Sequence, residues 1–201
     1  MSNSEKVNNS GKSKIWNVPN ALTVFRMILI IPFVIVLLGG KAGWFGDNSL
    51  IVQIVSVAIF VVASLTDLID GKVARKYNLV TNFGKFMDPL ADKILVCSAL
   101  ICLTALEKTP AWVVIVIIAR EFIISGFRLV ASDAGIVIAA SYWGKWKTTF
   151  QMTYVILMLI DLGMFIPFYG VVCMVVMYIS VSLTIISLVD YIIKNKSVIL
   201  N

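Results

Sequence analysis

Six stretches of this chain, at about residues 21–38, 50–76, 84–106, 111–131, 146–162 and 168–193, are predominantly apolar. Their lengths are close to the roughly 20 residues that an α-helix needs to cross a bilayer. The second runs through residues 50–66 without a charge. In hydrocarbon every backbone N–H and C=O must find its partner within the protein, and runs well beyond the roughly 10 residues of a barrel strand do so as helices. With 60% hydrophobic and 14% charged residues and a mean hydropathy of +0.96, the chain is expected to be an all-α integral membrane protein with six transmembrane helices.

The breaks are clearest at Gly39-Gly40, at Lys108-Thr109-Pro110 and over residues 163–167. No repeat or low-complexity linker divides the sequence, so the expected organisation is a disordered polar tail over residues 1–14 and one transmembrane domain over 15–201. The first nineteen residues are polar and basic, and the apolar run behind them contains Arg26 and lacks a small-residue cleavage site. These features predict a cytosolic tail rather than a cleaved signal peptide. With the N-terminus inside, the loops after the first, third and fifth segments hold only Lys41 and Lys108, so both termini are expected in the cytoplasm. The formal charge of +6 then serves topology and anionic lipid, not nucleic acid. The location expected is the cell membrane, multi-pass.

Histidine is absent, which removes the commonest general base and transition-metal ligand. Cys97, Cys102 and Cys173 lie inside apolar runs and read as small buried hydrophobes. Chemistry must therefore rest on carboxylates, lysines or a metal held by oxygen.

The carboxylates have an address. Counting 1.5 Å per residue, Asp67 lies roughly 25 Å down the second segment, and Asp92 and Asp88 lie roughly 21 and 27 Å down the third. All three approach the cytoplasmic boundary, at the level of lipid headgroups. Asp67, Asp70, Gly71 and Ala74 share one helical face, as do Gly84, Asp88 and Asp92 on the next segment. Four acids in one low-dielectric cavity either carry protons or are neutralised by cations. All-oxygen ligation selects hard divalent ions, Mg²⁺ or Mn²⁺, and a pair of such ions is a recurrent device for phosphoryl transfer. Gly71, Ala74 and Gly84 leave that face without bulk, and Arg75 can bridge phosphate oxygens.

The pattern D-x-x-D-G-x-x-A-R, eight residues, then G-x-x-x-D-x-x-x-D is met in full by Asp67, Asp70, Gly71, Ala74, Arg75, Gly84, Asp88 and Asp92. It resembles the signature of the CDP-alcohol phosphotransferases, and the resemblance extends from Trp16 onward. What it implies is a six-helix homodimer that takes a lipid-linked CDP, here CDP-diacylglycerol, with an active site facing the cytoplasm. Asp67, Asp70, Asp88 and Asp92 would hold two metal ions, Asp92 would act as general base, and Gly71, Ala74 and Arg75 would line the CDP site.

Three further stretches bear on the acceptor alcohol. "AREFIISGFR" places Arg120 in mid-membrane, roughly 15 Å from Pro110, with Arg128 two turns on. A buried arginine is costly and marks a functional site by default, although an ion pair is its structural alternative and the favoured reading of Glu121. "GKWKTTFQ" sets Lys145 and Lys147 on the cytoplasmic side, where setting topology is the simpler role for each alone. Together Arg120, Arg128, Lys145 and Lys147 suit an acceptor that carries its own phosphate. In "NVPNALTVFR", Asn20 and Thr23 are either helix-capping residues or nucleotide contacts. The three stretches resemble the branch of the family that phosphatidylates sn-glycerol 3-phosphate, implying phosphatidylglycerophosphate and CMP as products. A phosphatidylinositol-phosphate synthase is the nearest competing reading. A cation transporter is a remote one, because the acids cluster at one level and no inverted repeat is evident.

Overall fold

A computed structural model describes residues 18–45, 49–76, 82–133 and 141–196. They form six helices: α1 (Val18–Lys41), α2 (Ser49–Lys76), α3 (Asn82–Ala105), α4 (Ala111–Asp133), α5 (Tyr142–Ile160) and α6 (Tyr169–Lys194). A single 3₁₀ turn, Leu162–Met164, joins the last two. The all-helical expectation is met segment by segment, and among the described residues there is no strand.

The punctuation has local causes. Gly40 lets α1 and α2 approach closely, since a Cβ there would lie 2.7 Å from a methyl of Val52. Beyond α3 the chain passes through Glu107 at φ 61°, and the N–H groups of Lys108 and Thr109 both return to the carbonyl of Leu103. Pro110 then precedes α4, whose first turn needs no donor from it. The fifth helix starts at Tyr142, earlier than the apolar run that begins at 146. The reason is a cap that hydropathy does not register: Ser141, at φ −72° and ψ 153°, accepts a hydrogen bond from the Gly144 N–H at 3.1 Å. Asp161, at φ 46°, closes α5 by donating its N–H to the carbonyl of Leu157.

Packing divides the bundle into two cooperating parts. Helix α1 lies along α2 and α3, α5 lies along α6, and α4 bridges α3 to α6. The core that joins them includes Phe33 of α1 and Phe60 of α2, with ring centroids 5.9 Å apart. Leu95, Leu100 and Leu103 of α3, Ile117 of α4, and Tyr154 and Val155 of α5 are buried with them. The surface is as informative as the core. Ile28, Ile31, Ile54, Ile101, Ile115, Phe122 and Val175 all point outward, where a helix of a water-soluble bundle would carry polar side chains. Among the described residues, two helices, over Asn20–Lys41 and Tyr169–Lys194, are by length and composition apolar enough to cross a bilayer.

Candidate active site

One end of the bundle collects the polar side chains. There the N-terminal half of α3, the C-terminal half of α4, the start of α5 and the last turns of α6 enclose a cavity of about 310 Å³. Its lining includes Asp92 and Lys93 from α3, Arg120, Glu121 and Arg128 from α4, and Ser141, Gly144 and Lys145 from α5. Tyr191 contributes from α6. Burial of a carboxylate among cations in a confined space strengthens each interaction with a ligand charge.

Arg120 is the most deeply buried of the charged groups there, with only 9% of its surface exposed. Its Nη1 donates to Glu121 Oε1 at 3.2 Å, and its Nη2 donates to Ser187 Oγ of α6 at 2.5 Å. Glu121 also pairs with Lys147 Nζ, which arrives from α5 and is 2% exposed. A three-member ion network therefore ties α4 to α5, and Ser187 ties it to α6. The bare approach of Gly144 makes room for it, because a Cβ there would stand 3.4 Å from Arg120 Nη2.

Of the acceptor set Arg120, Arg128, Lys145 and Lys147, the first three line one cavity, and Asp92 lines it with them. Lys147 is placed differently. It turns inward to Glu121 and lines a neighbouring space of about 40 Å³, which it shares with Asp92, Lys93 and Gln151. Asn20 and Thr23 are buried on α1, 3% and 0% exposed, in line with the fully buried Arg26, and none of the three lines the larger cavity. Asp67, Asp70, Gly71, Ala74 and Arg75 lie on α2, and Gly84 and Asp88 on α3; their side chains fall outside the described residues. Helical backbone nonetheless runs through both motifs, so the i, i+3 spacing on α2 and the i, i+4 spacing on α3 are one-face spacings, and the two helices pack against each other.

Sequence reasoning passed over α6. Ser180, Thr184, Ser187 and Tyr191 fall at i, i+4, i+7 and i+11, and each is buried at 2% exposure or less. A hydroxyl stripe at helical period inside so apolar a segment is a signal in its own right. Arg26, read only as an interruption of the first apolar run, is likewise a buried charge of the interior.

Comparison with known proteins gives consistent matches. The family model described as CDP-alcohol phosphatidyltransferase matches residues 16–186. The chain is similar to a Bacillus subtilis (strain 168) protein named CDP-diacylglycerol--glycerol-3-phosphate 3-phosphatidyltransferase, at 48% identity over 143 residues, which cover 69% of this chain and 74% of that one. A Haemophilus influenzae protein of the same name is 36% identical over 195 residues, covering 92% and 97% of the two chains. A Rickettsia typhi protein, again of that name, is 38% identical over 176 residues, covering 87% and 94%.

Proposed function

Because this chain belongs to the CDP-alcohol phosphatidyltransferase family, we propose that it transfers the phosphatidyl group of CDP-diacylglycerol to sn-glycerol 3-phosphate. The products are phosphatidylglycerophosphate and CMP. The observation that carries this reading is the cavity that sets Asp92 among Arg120, Arg128 and Lys145, a base beside a set of phosphate-binding cations. A neutral acceptor alcohol would have no use for that charge.

In this mechanism Arg120, Arg128 and Lys145 hold the phosphate of the acceptor, and Lys147 keeps Glu121 and hence Arg120 in place. The acceptor hydroxyl gives its proton to Asp92. Its oxygen forms the new bond to the β-phosphorus of CDP-diacylglycerol, and the bond from that phosphorus to the bridging oxygen breaks, its electron pair leaving with CMP. Holding both reactants at the headgroup level turns an encounter between a lipid and a soluble ester into an oriented one. Gly71, Ala74 and Arg75 bind the diphosphate, with Asn20 and Thr23 toward the nucleotide.

The donor set of the two motifs fits divalent metal ions: Asp67 and Asp70 on one helix, Asp88 and Asp92 on its packed neighbour, all hard oxygen ligands. Two Mg²⁺ or Mn²⁺ ions held there would neutralise the diphosphate and stabilise charge on departing CMP. The rest of the proposal concerns setting: six membrane spans, both termini and the active site cytoplasmic, in a homodimer. The outward apolar faces and the biased loop charges support it.

The test is CMP release by purified protein from CDP-diacylglycerol and Mg²⁺ or Mn²⁺, with glycerol 3-phosphate or inositol phosphate as acceptor. Release with glycerol 3-phosphate, abolished by EDTA, is the expected result. Release with inositol phosphate alone would overturn the choice of acceptor.

A further inference from the structure

The geometry points to a phosphate contact on α6: the Tyr191 phenol donates a hydrogen bond to the phosphate of the acceptor, beside an Arg120 positioned by Ser187. This deepens the acceptor reading above and rests on it. Tyr191 is 2% exposed, lines the 310 Å³ cavity, and its hydroxyl has no hydrogen-bond partner among the described residues. Arg120 Nε, buried at the same cavity, also has none. A buried donor left unpaired is costly, and two at one cavity call for a shared acceptor that the described residues do not supply. The other two nitrogens of Arg120 are committed to Glu121 and Ser187, so the guanidinium is fixed in orientation while Nε stays available. The ring of Tyr191 is fixed as well, set edge-on to Phe127 of α4 with centroids 6.1 Å apart and planes at 71°.

The chemistry of the lining decides the ligand class. Arg120 Nε has only a proton to give and the phenol has one to offer, and Lys93, Arg128 and Lys145 add positive charge around them. Of the two carboxylates at the cavity, Glu121 is engaged by Arg120 and Lys147, and Asp92 is the proposed base. A tetrahedral phosphate monoester, with several acceptor oxygens and two charges, satisfies these donors together. Tyr191 thereby distinguishes a phosphorylated acceptor from its dephosphorylated alcohol. Ser187 acts as a positioning residue, since it touches Arg120 rather than the ligand.

The experiment compares wild type with Tyr191→Phe, Ser187→Ala and Ser187→Thr in lipid nanodiscs. Inorganic phosphate binding is measured by calorimetry without nucleotide, alongside KM for each substrate and the thermal midpoint. Loss of a hydrogen bond to a charged ligand predicts roughly tenfold weaker phosphate binding in Tyr191→Phe and a matching rise in KM for glycerol 3-phosphate. KM for CDP-diacylglycerol should stay constant, and the thermal midpoint should hold or rise because an unpaired buried hydroxyl is gone. Ser187→Ala should weaken phosphate binding and Ser187→Thr should restore it. Failure of wild type to bind phosphate, unchanged phosphate affinity in Tyr191→Phe, or an equal rise in both KM values with a lower midpoint would overturn the inference. If wild type binds phosphate through Tyr191 yet turns over only another phosphorylated alcohol, the inference stands and the glycerol 3-phosphate reading falls.

Discussion

Asp92 and Glu121 are both carboxylates within reach of Lys147, yet the structure gives them different work. Asp92 lines both cavities at the polar end, whereas Glu121 is consumed by its pairing with Arg120 and Lys147. Replacing Asp92 by Asn removes the proposed base while keeping its size. CMP release should fall by about 10²–10⁴-fold. Phosphate binding measured by calorimetry should persist, and full activity in that variant would remove Asp92 from the mechanism. Glu121→Gln acts through structure instead. It removes the carboxylate that pairs with the buried Lys147 ammonium, and breaking a buried pair from one side costs on the order of 3–5 kcal/mol. The expected readout is a lower thermal midpoint, with activity declining as the folded fraction does.

Gly144 shows how one helix serves two demands. It stands in the first turn of α5, three residues after the Ser141 cap, and its missing side chain leaves space against Arg120. In Gly144→Ala the helix should gain roughly 1 kcal/mol of propensity, since glycine pays the larger backbone entropy. The new methyl would lie 3.4 Å from Arg120 Nη2, at the wall of the cavity. The prediction is a higher thermal midpoint with a higher KM for the acceptor, read by unfolding and steady-state kinetics on the same preparation. An unchanged acceptor KM would place the phosphate away from this wall. The same helix explains a boundary that hydropathy misplaced: its first turn is polar and aromatic, held by a serine cap and by the edge-to-face contacts of Tyr142 with Trp143 and Trp146.

At the scale of the whole molecule, the bundle puts every described polar group of the site at one end. If six spans are threaded through a bilayer, both termini and this end share one side. Single cysteines in a background without Cys97, Cys102 and Cys173 can check this. Ala42→Cys, in the exposed turn after α1, and Phe165→Cys, in the exposed turn before α6, should react with an impermeant maleimide on intact cells. Lys196→Cys should react only after permeabilisation, and labelling of it in intact cells would invert the proposed orientation.

The helices, their number and nearly all their limits were legible in the sequence, because a 20-residue apolar run leaves the backbone no other way to satisfy its hydrogen bonds in lipid. The spacing of Asp67, Asp70, Asp88 and Asp92 was legible for a related reason, since positions one turn apart share a face whatever surrounds them. Partnership was not. That Lys147 turns to Glu121 while Lys145 lines the cavity, and that Ser187 grips Arg120 from 67 residues away, depends on which helix packs beside which. Local pattern carries no information about those contacts, and only the tertiary structure decided them.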